Sequence, residues 1–470
     1  MKKGFIGRWF MTALLLGVCL SASAQGYRIE ATLKGLKDTS CILGHYSYSN
    51  KQFFSKDTAR VDASGRMVFE GNTPLPGGLY LVLLPGQRRW VELVYSGKET
   101  HFSFEADTAE IVKSMVIKGS KENEVFYTYQ NELRRIMEGG GADAQKQFMD
   151  YQKGFLKEQA GTFTSKLLKA SLEPEIPTAP KLPNGKSDST WVFNYYKAHY
   201  WDGFDFTDDR LLRTPFIQPK LERYFKDLVV QVPDSIIKDV DALIKKAAPN
   251  KDMKSYLIYY ITSEYENAKV VGTEGVFVHM AEKYYLTGEM EVSADARRRI
   301  GERVASMKPL LVDKIIPNLT LSDPEKKPVS IHGIKADYTV LFFYSPTCGH
   351  CKEAAPKLKE FYEKNKATGV KVLAIATDQS PEDWKQYVST YKLGDLLHGY
   401  DYNFRTDYRT QFDVFSTPTI YVLDKNKKII ARRMPIEQLD DFYNFYRKSH
   451  AASSTAAPKK TASAGSKSSK

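Results

Sequence analysis

Cys348 and Cys351 stand two residues apart in "SPTCGHCKEAAP", with Gly349 and His350 between them. Two thiols at this spacing can close a tight disulfide ring with ordinary geometry. They can also supply two ligands to a metal, or pack as an inert buried pair. A structural zinc site normally takes four ligands. No second Cys pair is present, and His350 is too close to complete a set. In the redox reading, one thiolate attacks a substrate disulfide and the other resolves the mixed disulfide that results. Cys348 falls where the apolar strand "YTVLFFYS" ends and the helix "CGHCKEAAPKLKEFYEKN" begins. There it meets unsatisfied N–H groups and the positive end of the helix dipole, both of which stabilise a thiolate. Cys351 lies one turn deeper, placed to resolve. Gly349 and His350 tune the pair. A protonated His350 would favour the thiolate and raise the reduction potential.

The elements that must hold this pair follow from the hydrophobic pattern. "YTVLFFYS" and "KVLAIATD" are continuous apolar strands of the kind buried on both faces of a sheet. "TIYVLD" and "KIIARRM" form a late hairpin around Lys425–Lys427. Helical patterns run through "SPEDWKQYVSTYK" and "PIEQLDDFYNFYRKSH". The result is a βαβ unit, a hairpin and a closing helix. In "FSTPTIYVLD", Pro418 follows Thr417 at a strand entry, where it cannot be a central ladder donor. This suggests a cis bond opposite the cysteines, with the Thr417 backbone available to a substrate chain.

With "SPTCGHCK..AP", "VKVLAIATD..PEDW" and "STPTIYVLD", residues of about 310–449 resemble the thioredoxin-fold domains of TlpA/ResA-like thiol–disulfide oxidoreductases. The resemblance covers the last third of the chain. It implies that Cys348 is the nucleophile, Cys351 the resolving cysteine and Pro418 the cis-proline, with Thr417 and Pro418 at the substrate. The sequence departs from the pattern at Thr347, where many relatives have Trp. Phe342 stands where thioredoxins carry a buried acid. Ala354 stands where ResA-like proteins carry one, with Glu353 one place off. Glu353 or water are the candidates left to accept a proton from Cys351. Peroxiredoxins share related folds, but Ser345 replaces the Thr expected three residues before their reactive cysteine.

The chain has 470 residues and a net charge of +12, with basic and acidic residues interspersed. No run resembles a nucleic-acid arm. Residues 1–24 pair a basic stretch, "MKKGFIGR", with the apolar "WFMTALLLGVCL" and small residues before Gln25. This is the pattern of a secretory signal peptide. Val18 before Cys19 breaks the lipoprotein pattern, so lipid anchoring is not expected. Export places the protein in a periplasmic or cell-envelope compartment, where disulfides persist. Cys41, in the strand-like "TSCILGHYS", reads as a buried, unreactive thiol.

Residues 26–119 alternate as short strands and predict an antiparallel β-sandwich. From 120 to 307 the period becomes helical, interrupted by the proline-rich "SLEPEIPTAPKLPNGKSDST". Residues 308–449 form the thioredoxin-fold domain, and 451–470 a low-complexity, disordered tail. The expected fold is thus multidomain: sandwich, α-helical domain, then α/β thioredoxin fold. The expected activity is disulfide exchange with protein thiol or disulfide substrates, regenerated by a redox partner that could be membrane-bound. No metal, nucleotide or flavin cofactor is implied, since no G-x-G-x-x-G turn or P-loop occurs. The alternative is an envelope binding or scaffold protein whose front domains carry the main role.

Overall fold

The computed structural model describes residues 26–455, apart from 87, 141–142, 378–379 and 404. The signal-like segment 1–24 and residues 456–470 of the tail lie outside the described residues. The described residues form two compact units, one reaching Leu228 and the other starting at Val229. The division falls inside the 120–307 stretch expected as one helical domain.

The first unit opens with eight strands: β1 (Tyr27–Lys34), β2 (Thr39–Ser47), β3 (Ser49–Val61), β4 (Arg66–Gly71), β5 (Gly78–Leu83), β6 (Trp90–Tyr95), β7 (His101–Asp107) and β8 (Val116–Lys118). They make two four-stranded sheets, ordered β4-β1-β7-β8 and β3-β2-β5-β6. Alternation sets the inward face: Tyr27, Ile29, Ala31 and Leu33 of β1 are all buried. The layout is not wholly antiparallel as expected, because β1 and β7 pair in parallel. Intervening strands of the other sheet carry the chain back, so β7 enters beside β1 in the same direction.

Helices α1 (Ile111–Ser114), α2 (Lys121–Gly139), α3 (Ala144–Glu158), α4 (Phe163–Ser171), α5 (Ser189–His199) and α6 (Ile217–Arg223) complete this unit. Ser120 caps α2, and the buried Asn123 amide bonds both the N–H and the C=O of Val94 at 2.8 and 2.9 Å. One side chain thereby satisfies the open edge of β6 and ties the helix to the sheet. The apolar periodicity of "DDRLLRTPFIQPKLERYFKDLVV" predicts a helix, but the segment is broken in two. A 3-10 turn over Asp209–Arg213 ends at Thr214, which is extended because Pro215 follows it.

The second unit begins with α7 (Pro233–Ala247), α8 (Lys251–Glu266), α9 (Gly275–Met280) and α10 (Ala294–Met307). A seven-stranded sheet follows: β9 (Thr320–Ser322), β10 (Pro328–Ser330), β11 (Tyr338–Tyr344), β12 (Val370–Ala376), β13 (Leu397–Tyr400), β14 (Thr419–Asp424) and β15 (Ile429–Arg432), in the order β10-β9-β13-β12-β11-β14-β15. The central β11 is parallel to β12 and antiparallel to β14. Its side chains alternate between two cores. Val340, Phe342 and Tyr344 join one that includes Cys351, while Leu341 and Phe343 join another that includes Leu310 and Phe412. The remaining helices are α11 (Gly349–Asn365), α12 (Pro381–Thr390), α13 (Tyr408–Phe412) and α14 (Leu439–Thr455). α14 runs five residues into the stretch expected to be a disordered tail. No described helix is long and apolar enough to cross a membrane.

Candidate active site

β11 delivers the chain to the N-terminus of α11, and Cys348 is the N-cap of that helix. Its thiol makes no capping bond, and the backbone N–H groups of His350 and Cys351 in the first turn favour its thiolate. Across the site, the Thr417–Pro418 peptide bond is cis. Cys348 Sγ donates to the Thr417 main-chain carbonyl oxygen at 3.2 Å. Thr417 and Pro418, the residues expected at the substrate, are thus brought to the cysteines.

The two thiols are driven in opposite directions. Burial alone would push Cys348 up. The Cys351 N–H, the Thr417 side chain, the Cys351 thiol and the His350 N–H outweigh it and hold Cys348 below the ordinary thiol value of 9.0. Cys351 is fully buried, and burial pushes it up to about 12. Both thiols are free in this structure, as is the buried Cys41 in β2.

Around Cys351 the wall is aromatic. Tyr387 of α12 donates its hydroxyl to the Cys351 carbonyl at 2.5 Å. Tyr344 stacks on Tyr387 with ring centroids 4.6 Å apart. Phe342 stacks on Tyr344 at 5.4 Å, so the position that holds an acid in thioredoxins contributes only apolar surface here.

The other candidates sit outside. His350 is 85% exposed, and its Nδ1 lies 3.5 Å from Glu353 Oε2, itself 77% exposed. The carboxylate of Glu353 therefore faces solvent and His350, while Cys351 is buried. His350 acts on Cys348 through its backbone N–H. A Cβ at Gly349 would meet nothing within 4 Å, so the first residue of α11 leaves the mouth of the site open. Among the described residues no group of three or more His, Cys, Asp or Glu could hold a metal ion.

The AhpC/TSA family matches residues 312–432. The ResA thiol–disulfide oxidoreductase of Bacillus cereus (strain ZK / E33L) is 26% identical over 128 residues, covering 27% of this chain and 72% of the relative. The chain belongs, through this domain, to the thioredoxin-like thiol–disulfide oxidoreductases. The thioredoxin-like domain is also 36% identical over 116 residues to the chloroplastic peroxiredoxin Q of Sedum lineare, covering 23% of this chain and 61% of that protein. Among solved structures, a domain of a possible thiol-disulfide isomerase from Cytophaga hutchinsonii is 40% identical over 31% of this chain and 98% of its own, with a TM-score of 0.29. Upstream, residues 149–309 match a domain of unknown function, DUF5106, and residues 27–126 match another, DUF4369.

Several residues of the thioredoxin-like domain's site escape sequence reasoning. Tyr344 and Tyr387 wall in Cys351, and Trp384 joins the same core. The spacing of Trp384 and Tyr387 in "DWKQY" places both on one face of α12, which was the available signal. A groove of about 370 Å³ beside Thr417 is lined by Thr377, Asp407, Tyr408, Val414, Phe415 and Ser416, among others. Thr377, Phe415 and Ser416 fall within the quoted motifs, but no motif marks Asp407, Tyr408 or Val414.

Proposed function

We propose that the protein is an exported thiol–disulfide oxidoreductase that exchanges disulfides with protein substrates through the Cys348-Gly-His-Cys351 couple. The opposed titration of the two thiols carries this reading. Cys348 is available as thiolate at the mouth, while Cys351 is held as a thiol behind it. The Cys348 thiolate attacks one sulfur of a substrate disulfide. A Cys348–substrate bond forms, and the second substrate sulfur leaves as a thiolate. Cys351 then loses its proton and attacks the Cys348 sulfur. The Cys348–Cys351 disulfide forms, and the first substrate sulfur is released. The side chains that shift Cys351 are Thr417 and Cys348, with no carboxylate among them. The departing substrate thiolate, or water, is the base this arrangement supports, and Glu353 is too exposed to serve. A thiol or disulfide redox partner must restore the starting state.

Support for export is the signal-like pattern of residues 1–24. The test is turbidimetric insulin reduction with dithiothreitol, together with fractionation and N-terminal sequencing of the mature chain. Activity lost in Cys348→Ser, and a mature chain starting at Gln25 in the envelope fraction, are expected. Activity unaffected by that change, or an uncleaved cytoplasmic chain, would defeat the respective half of the proposal.

The likeness to peroxiredoxin Q favours a second reading, attack of Cys348 on a peroxide. Cys348 would become a sulfenic acid as the peroxide is reduced to an alcohol or water. Cys351 would then form the disulfide and expel water. Thiol loss stoichiometric with added hydrogen peroxide, measured in a stopped flow, separates the two.

A further inference from the structure

Arg303 lies on α10, upstream of the stretch matched by the AhpC/TSA family. Its guanidinium pairs with Oδ1 of Asp413, a carboxylate with no exposed surface. The other oxygen, Oδ2, pairs with Arg432 and, at 3.0 Å, with Arg433. Asp413 has a φ of +53°, a left-handed conformation that Asp tolerates better than most residues. It is the turn at which the chain leaves α13 for the 414–418 loop. The same Arg303 guanidinium stands 4.9 Å over the ring of Phe415. Phe415 is 55% exposed, an unusual state for a phenylalanine, and it lines the groove that ends at Thr417. One side chain thus grips the turn that starts the loop and the face of its most exposed apolar residue.

We propose that Arg303 is a positioning residue for substrate binding, holding Phe415 as an apolar wall against the segment of a protein substrate next to its disulfide cysteine. The inference rests on the disulfide-exchange reading. Thr417 lines the groove and its carbonyl is in contact with Cys348 Sγ, which puts the groove within reach of the residues that flank a substrate cysteine at Cys348. Phe415, with Val414 and Tyr408, forms the apolar side of a groove otherwise lined by hydroxyls and the Asp407 carboxylate, so the substrates favoured set an apolar residue beside the reacting cysteine against this side and polar groups against the other. A small disulfide spans no such distance and gains nothing from the wall. Arg303 acts through Phe415, not on the sulfur. Lysine could keep the charge toward Asp413 but not the flat stack on the ring.

The test compares kcat/KM on insulin with the second-order rate on dithiobis(nitrobenzoate) in the full chain and its Arg303→Met, Arg303→Lys, Phe415→Ala and double Met/Ala variants. Arg303→Met should raise KM for insulin about tenfold with kcat little changed, and the insulin-to-small-disulfide rate ratio should fall by a similar factor. Arg303→Lys should recover only part of it. Phe415→Ala, at an exposed position that threatens the fold least, should lower the same ratio. The double variant should lose no more than the worse single one, because both act on one wall. Equal losses on both substrates, an unchanged ratio in Phe415→Ala, or losses that multiply in the double variant would each overturn the proposal. A wild-type protein inert toward both disulfides, no faster than Cys348→Ser, would instead defeat the exchange reading on which it stands, and the proposal with it.

Discussion

The sulfur of Cys348 reaches the backbone carbonyl of Thr417, 69 residues further on, at 3.2 Å. This contact joins the helix that carries the cysteines to the loop that precedes β14. It sets the sulfur beside the Thr417–Pro418 peptide bond, with the thiol's one donor directed at the Thr417 backbone. When Cys348 ionises, that bond is given up and the first-turn N–H groups of α11 hold the charge instead. In the proposed exchange the loop carbonyl then accepts from a substrate chain.

The titration of the two thiols predicts their reactivity. Alkylation of Cys348 by iodoacetamide should rise to a plateau with a midpoint below 9.0, the ordinary thiol value. Cys351 should stay unmodified until near its raised value of about 12. The sign for stability follows from the same shift. Cys351 stays protonated in the folded protein while an unfolded thiol ionises near 9.0, so its contribution is whole below pH 9 and is lost as pH rises through about 12. Mass spectrometry of each modified cysteine against pH checks the first part. Denaturant melts of the reduced protein at increasing pH check the second.

His350 separates a side-chain effect from a backbone one. Its ring is exposed, and its N–H is among the groups that stabilise the thiolate. His350→Gln keeps the N–H and should leave the potential near that of the wild type. His350→Pro removes the N–H at a first-turn position where proline is tolerated. It should lower the potential by on the order of 20 mV, the equivalent of one hydrogen bond of about 1 kcal/mol. Glutathione redox titration measures both. A larger shift in His350→Gln would assign the effect to the ring.

Much of the thioredoxin-like domain was legible because its signals are local. The strand-to-helix step places Cys348, and the "STP" before "TIYVLD" places Pro418. What was not legible depends on distance in sequence. Asp413 and Arg432 have no exposed surface, and Glu274 lies 3.7 Å from Arg432. Each reads as an ordinary surface charge until the fold brings α9, α13 and β15 together. The break at Thr214 was signalled by Pro215, but apolar periodicity on both sides concealed it. The direction of β7 was hidden for another reason, since alternation reveals which face of a strand is buried and not which neighbour it pairs with.

The buried charges predict where the second unit can be cut. Asp413→Asn would leave Arg303, Arg432 and Arg433 without their shared carboxylate and should cost about 3–5 kcal/mol. A piece starting near residue 308 lacks both Arg303 and Glu274. It should be less stable, by on the order of 3 kcal/mol, than one starting at Val229. Urea melts of the 229–450 and 308–450 pieces make the comparison. Equal midpoints would show that the upstream helices add nothing to the stability of the sheet.

Tyr387 gives a smaller effect at the site itself. Tyr387→Phe removes the donor to the Cys351 carbonyl and leaves the stack on Tyr344. A loss of about 1 kcal/mol is expected, with the Cys348 alkylation profile unchanged. A shifted profile would mean that the hydroxyl reaches the sulfur chemistry.

The division of labour between the cysteines is tested most directly by trapping. Cys348→Ser and Cys351→Ser variants of the full chain would each be incubated with oxidised insulin under non-reducing conditions, and covalent adducts identified by mass spectrometry. Cys351→Ser should accumulate mixed disulfides on Cys348, because attack proceeds and resolution does not. Cys348→Ser should accumulate none, because Cys351 is buried and protonated. Adducts in Cys348→Ser and none in Cys351→Ser would contradict the account.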